Sequence, residues 1–266
     1  MSSIQKSNMK YYSNYIPESK NDGTNFMQPS GKQQKTRVRE EAILEKAREI
    51  AISEGIGALK MPELAKLSQV SVGTLYRHFE SKQDVIAALA SQALDIRHQK
   101  LKLVIDQFQE PEMRCLGVIM LDFLFNIAHP DVFQIEMQCA SPSFWQETHN
   151  IRRHNHQIVA SDLSSFLEEL CSEISGTTTD PKHLTTGLWA FVSGISLVWY
   201  GMPHDQPDNL EDALAFLRPH LMNFIKGYGL PSSNTQQTLN QLEQHFLATK
   251  SQWLWTLKGT TTNDVH

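Results

Sequence analysis

The sequence is poor in several features that would fix a class of protein at once. It has only three cysteines, Cys115, Cys139 and Cys171, odd in number and widely spaced, which excludes a disulfide framework and fits reduced, cytoplasmic thiols. No apolar run approaches the roughly 18 residues a membrane helix needs. The nearest, Leu188 to Tyr200, is shorter and interrupted by Ser193, Gly194 and Ser196, so it reads as a buried helix. The opening residues Met1-Ser2-Ser3-Ile4-Gln5 lack the apolar core of a secretory leader. Neither sign of charge dominates: 24 Lys and Arg against 29 Asp and Glu give −5, which excludes a generally basic nucleic-acid coat protein. At 40% apolar residues the chain is also too hydrophobic to be disordered or collagen-like.

Catalytic signatures are missing as well. There is no phosphate-cradling glycine loop, no Gly-x-Ser-x-Gly elbow, no Cys-x-x-Cys pair and no His-Glu-x-x-His pattern. His149, His154 and His156 form the one histidine cluster, and helical spacing puts only His149 and His156 on the same face. No catalytic residue, metal or cofactor is expected. A helical metal-binding enzyme built on those three histidines is the competing reading.

What is present is helix, with its charge distributed unevenly. Residues 32–82 carry ten Lys and Arg against seven Glu, or +3, and residues 1–31 carry +1, which leaves −9 for the remainder. A small basic module followed by an acidic body suits one end that faces a polyanion and another that stays off it. Residues 1–35 are polar and aperiodic and read as a disordered arm. A helix is predicted over 36–54, where Ile43, Leu44, Ala47, Ile50 and Ala51 recur at helical spacing before Gly55. Two short helices follow, Pro62 to Leu67 and Val72 to His78, and then a longer one to about Phe108, opened by the capping-box spacing Ser81-Lys82-Gln83-Asp84. Further helices are predicted at about 111–128, 131–140, 142–175, 181–202 and 209–228. A polar linker and a terminal helix bearing Leu239, Leu242, Phe246 and Trp253 occupy 231–266. No window alternates like a strand.

The segment Leu64 to Lys82 has the parts of a helix-turn-helix. Leu64, Val70, Leu75 and Phe79 can close a miniature core, with the small Ala65 where two helices approach. Thr74, Tyr76, Arg77, His78 and Lys82 are left to face phosphates and base edges. At Val70-Ser71-x-Gly73-Thr74-Leu75-Tyr76-x-His78-Phe79-x-Ser81-Lys82 the chain resembles the tetracycline-repressor (TetR) family of bacterial transcription regulators. Ile43-Leu44, Ala47 and Gly55 resemble that family's first helix, so the resemblance covers about residues 36–90. Two positions depart from it: Lys60 stands where the family has a hydroxyl cap, and Ser68-Gln69 replaces an Ala-Gly pair. A left-handed backbone at Gln69 costs on the order of 1 kcal/mol relative to glycine.

The resemblance implies an all-α protein. A helix-turn-helix DNA-binding domain spans 36–82, and a larger helical effector-binding and dimerisation domain spans 83–230. By position it makes Ser71 the cap of the recognition helix and places Val72, Gly73, Thr74 and Arg77 near base edges. Tyr76, His78 and Lys82 would hold phosphates, with Lys60 a further phosphate candidate. Its implied partners are a double-stranded DNA operator, a second copy of the chain and a small-molecule effector. It predicts a repressor, with an activator of the same fold as the alternative. Met120, Phe123, Trp145, Trp189 and Phe191 are the candidate ligand contacts; taken singly each reads as core before it reads as pocket, and collectively they favour an apolar or aromatic effector. The two helices before Gly229 are expected to pair with their copies, because Leu188 to Tyr200 is apolar nearly all round.

Overall fold

A computed structural model describes residues 31–174, 180–203, 209–229 and 234–250. These residues are helical, with no strand among them. The elements are α1 (Gly31–Glu54), a single 3-10 turn (Ile56–Ala58), α2 (Met61–Leu67), α3 (Val72–His78), α4 (Lys82–Ile105) and α5 (Pro111–Ala128). They continue as α6 (Pro130–Cys139), α7 (Pro142–Gln146), α8 (Asn150–Ser172), α9 (Pro181–Gly201), α10 (Leu210–Gly227) and α11 (Thr235–Ala248).

The chain forms two compact units. Among the described residues the first contains Gly31 to Leu89 together with Ser141 to His154, and the second contains Ala90 to Ala140 and the chain from Asn155 onward. The first unit is built around fully buried Ile43, Leu64, Leu75 and Phe79. The second has a larger core, in which Leu116, Phe123, Leu188, Trp199, Leu217 and Phe246 join one apolar cluster from α5, α9, α10 and α11.

Local signals account for most helix ends. Proline occupies the first turn of α2, α5, α6, α7 and α9, where its missing N–H has no helical partner to lose. Asn209 caps α10 by accepting from the amides of Glu211 and Asp212. Gly55, at φ 80°, ends the segment after α1.

Three boundaries differ from expectation. First, α1 begins at Gly31, inside the segment expected to be a disordered arm; residues 1–30 lie outside the described residues. Second, the single helix expected over 142–175 is two helices. Thr148 turns its hydroxyl back onto the Phe144 carbonyl at 2.8 Å, and the His149 amide leaves the helical register to donate to Asp84 Oδ1 at 2.8 Å. The His149 imidazole then accepts from the Ile151 amide at 3.2 Å and restarts the helix. Third, α9 is not buried all round. Leu184, Leu188, Val192, Ile195 and Trp199 enter the core, while Trp189, Leu197 and Val198 are each more than half exposed. Among the described residues α9 is long and apolar enough to cross a membrane as a single helix, and α5 with α6 only as one pair bent by 102°. The terminal helix holds Leu239, Leu242 and Phe246 in the core, and Trp253 lies outside the described residues.

Candidate nucleic-acid interface and ligand cavity

The turn between α2 and α3 closes with a hydrogen-bond pattern set by one residue. Gln69 adopts φ 55°, the left-handed conformation that glycine enters most readily. Its amide bonds the Lys66 carbonyl at 3.1 Å and the Val70 amide bonds the Ala65 carbonyl at 3.0 Å, which is a Schellman closure of α2. The chain reverses in two residues and α3 starts at once. Ser71 caps it, accepting from the Thr74 amide at 3.0 Å.

The outer face of α3 is therefore held rigidly at its entry. Ser71, Val72, Gly73, Tyr76 and Arg77 are exposed on it, and a Cβ added at Gly73 would meet nothing within 4 Å. Thr74 accepts from Arg77 Nη2 at 3.0 Å, which orients the guanidinium along the helix and leaves its other donors outward. Lys60 precedes α2, exposed, with no side-chain cap bond at that position.

Two of the expected phosphate contacts are engaged inside the unit. The His78 side chain is only 10% exposed, with Nδ1 3.4 Å from Glu40 of α1. Lys82 Nζ donates to the Gly57 carbonyl at 2.8 Å, and burial lowers its pKa. Both residues tie the recognition helix to its neighbours and present less of themselves to solvent than Tyr76 or Arg77 does.

Sequence reading missed a second brace. Arg152, at the start of α8, donates to Glu40 Oε1 at 3.1 Å and to the His78 carbonyl at 3.0 Å, and its guanidinium lies 4.6 Å from the Phe79 ring centroid. Asp84 accepts from the Glu80 and Ser81 amides, and Ser81 Oγ accepts from the Asp84 amide at 3.1 Å, completing the capping box. The other oxygen of Asp84 takes the His149 amide. A segment distant in sequence thus buttresses the helix-turn-helix, and no local pattern announces it.

The second unit contains a cavity of about 400 Å³ bounded by α4, α5, α6, α8 and α9. Leu94, Leu101, Ile119, Leu163 and Val192 supply apolar wall, and Arg97, Asp122, Glu136, His156 and Glu168 supply the ionisable groups. Of the five expected ligand residues, Trp189 lines this cavity. Phe123 and Met120 are fully buried core; Phe123 meets Trp199 edge to face at 6.5 Å. Phe191 stacks on Phe224 at 4.6 Å, and Trp145 belongs to the first unit, edge-on to Phe144. Size and apolarity select core and cavity residues alike, so they could not tell the two apart.

Charges decide the character of the cavity. Arg97 Nη1 lies 3.3 Å from Asp122 and Nη2 3.0 Å from Glu136, and Nη2 also donates to Asn126 Oδ1 at 2.7 Å. Asn126 passes the chain on to Ser196 Oγ at 3.0 Å. Burial pushes the Glu136 carboxyl up to about 7 and raises Asp122 as well, in each case against the opposing pull of Arg97. A signal for this site existed in the sequence: Asp122 and Asn126 are polar interruptions of the otherwise apolar run Cys115 to Ala128.

The histidines take separate roles. His149 Nε2 lies 3.6 Å from Glu80, and His156 Nδ1 lies 3.5 Å from Ser91 at the cavity wall. Among the described residues no group of His, Cys, Asp and Glu is arranged to hold a metal ion.

Comparison with known proteins agrees with this geometry. Residues 43–89 match the family model of the bacterial regulatory proteins, tetR family. A helix-turn-helix-type transcriptional regulator of Staphylococcus aureus is 36% identical over 72 residues, which are 27% of this chain and 38% of that protein, so the match spans well under half of the relative. Among solved structures, the regulator FadR from Bacillus subtilis, in complex with stearoyl-CoA, superposes with TM-score 0.52 at 13% identity over 66% of this chain and 96% of that one. RolR in complex with resorcinol gives TM-score 0.55 at 15% identity over 78% and 96%. These two likenesses are of fold. The family match is confined to residues 43–89, the segment that folds as the helix-turn-helix and its flanking helices, and that segment resembles the tetR family of bacterial regulatory proteins.

Proposed function

We propose that this chain is a DNA-binding transcriptional regulator: a cytoplasmic repressor that binds a partly palindromic operator as a homodimer and is released when a small molecule enters the cavity of the second unit. The observation that carries the reading is the outer face of α3. Ser71, Val72, Gly73, Thr74 and Arg77 stand together there on a helix whose entry is fixed by a Schellman turn and a serine cap. In the bound state Thr74 and Arg77 read base edges, with Arg77 the side chain suited to a two-point grip on guanine. Tyr76, Lys60 and Lys82 position the domain on phosphates, and His78, turned toward Glu40, braces α3 from within the unit. Residues 36–82 form the reading domain and 83–230 the effector-binding and dimerisation domain.

The exposed apolar side chains of α9 support the dimer. Leu197 and Val198 present large hydrophobic surface on a helix whose Leu188, Val192 and Trp199 are already in the core. Pairing of α9 and α10 with their copies would cover it as a four-helix interface. The test has two parts. Purified protein is used to retain genomic fragments, which are sequenced, and sedimentation gives its mass alone and on the recovered duplex. The reading requires enrichment of an inverted repeat, with half-sites about one helical turn or a multiple of it apart, bound by two chains. A monomer protecting a single half-site, or equal affinity for random duplex, contradicts it.

A further inference from the structure

The cavity of the second unit contains more negative than positive side chains. Its ionisable lining includes one guanidinium, Arg97, and three carboxylates, Asp122, Glu136 and Glu168. Arg97 is already committed. Its two terminal nitrogens serve Asp122, Glu136 and Asn126, and its carbon centre lies 4.5 Å from the Phe125 ring centroid. One cation thus faces two buried carboxylates, an arrangement that leaves one negative charge desolvated without a counter-charge.

Buried polar atoms record the same shortage. Glu136, a lining residue, has its Oε1 buried without a hydrogen-bond partner. Arg97 Nε lacks an acceptor too, yet the guanidinium as a whole is outnumbered. Burial pushes the Glu136 carboxyl up to about 7, so a proton there can relieve the excess charge. Most of the remaining wall is apolar, with Ser164, Thr186 and Ser193 as neutral polar members, and Trp189 adds an indole suited to a cation. At about 400 Å³ the space is of small-molecule size.

We propose that this cavity selects a cationic amphiphile, with an ammonium group seated against Glu136 and Asp122 and an apolar or aromatic body along Leu101, Ile119, Leu163 and Val192. The inference rests on the reading of the cavity as the effector site and names the chemical class that site takes. A carboxylate ligand would meet a guanidinium already neutralised and a surplus of like charge. A neutral ligand would supply no counter-charge and leave Glu136 to be neutralised by a proton. An ammonium ion supplies the missing positive charge and a donor for the Glu136 carboxylate at once.

The experiment uses three probes with one body and three heads: 4-phenylbutylamine, 4-phenylbutanol and 4-phenylbutyrate, each titrated calorimetrically into the full chain without DNA. The amine should bind at least tenfold tighter than the alcohol, and the butyrate weakest. Glu136→Gln, which keeps the shape, should bring the amine to within about threefold of the alcohol while leaving the alcohol unchanged; Asp122→Asn should do the same. Alcohol or butyrate binding as tightly as the amine in the wild type overturns the inference, as does binding of none of the three. The wild-type series stands even where a variant fails to fold. DNA retention by the same preparation is scored separately. Retained DNA without amine preference overturns this inference alone, whereas amine preference without DNA binding overturns the regulator reading alone.

Discussion

The two units handle their polar groups in opposite ways. In the first, arginine, tyrosine and threonine stand on the outer face of α3, and hydrogen bonding works mainly to fix the backbone that carries them: the Schellman turn at Gln69, the Ser71 cap, the Ser81–Asp84 box. In the second, Arg97, Asp122, Asn126 and Glu136 lie within the helical body, where desolvation makes each of them costly unless paired. An exposed reading face tolerates substitution at little cost to stability and responds in specificity. A buried charged wall responds in both.

The sharpest test of this contrast compares two aromatic residues of the second unit that were equally plausible ligand contacts from sequence. Phe123 is fully buried, so Phe123→Ala should destabilise the chain by about 3–5 kcal/mol in urea unfolding. Trp189 is 60% exposed and lines the cavity, so Trp189→Ala should leave stability within about 1 kcal/mol and alter ligand response instead. Similar stability losses in both would erase the distinction between core and cavity drawn here.

Next in size is a pH effect confined to the buried wall. Because the folded Glu136 carboxyl sits at about 7, above its ordinary 4.5, its stabilising contribution is complete below pH 4.5 and drains away as pH rises toward 7. His129, lowered to about 4 by burial and by Arg97, runs the other way: its contribution is present above pH 6.5 and is lost as pH falls toward 4. The two slopes partly cancel in the wild type. Glu136→Gln removes one of them, so the stability of that variant relative to wild type should grow between pH 5 and pH 8, by up to about 3 kcal/mol. Denaturant midpoints at the two pH values measure it, and a flat difference would show that Glu136 does not titrate in this window.

On the reading face the effects are smaller and differ in kind. Arg77→Ala should lose about 1–3 kcal/mol of discrimination at one base pair with little change in melting temperature. Affinity reduced equally on every sequence would make Arg77 a phosphate contact. Ser71→Ala should cost about 1 kcal/mol of stability by removing the cap. Gln69→Gly should return up to about 1 kcal/mol by relieving the left-handed backbone, read as a higher unfolding midpoint with operator affinity unchanged.

Much of the first unit is legible in the sequence. Pro62, Ser71, Ser81 and Asp84 act where local chemistry says they must, because caps and turns are made by residues a few positions apart. Even Gln69, a departure from the expected glycine, marked itself as the strained position. What was not legible there is the brace from Arg152 and His149, which reaches the helix-turn-helix from far along the chain. The inward turn of His78 toward Glu40 was equally hidden, since a histidine at the end of a short helix can face either way.

The sequence by itself determined that this is a helical protein with a short capped helix over Val72–His78, because helical periodicity, proline punctuation and capping patterns are short-range and act through the backbone. Only the tertiary structure decided which apolar residues are core and which line a cavity, and that α4, α5 and α6 bring Arg97, Asp122 and Glu136 together. Those three residues lie on separate helices, and no spacing along the chain encodes their meeting. Their chemistry arises from desolvation, a property of how the helices pack and not of any one segment.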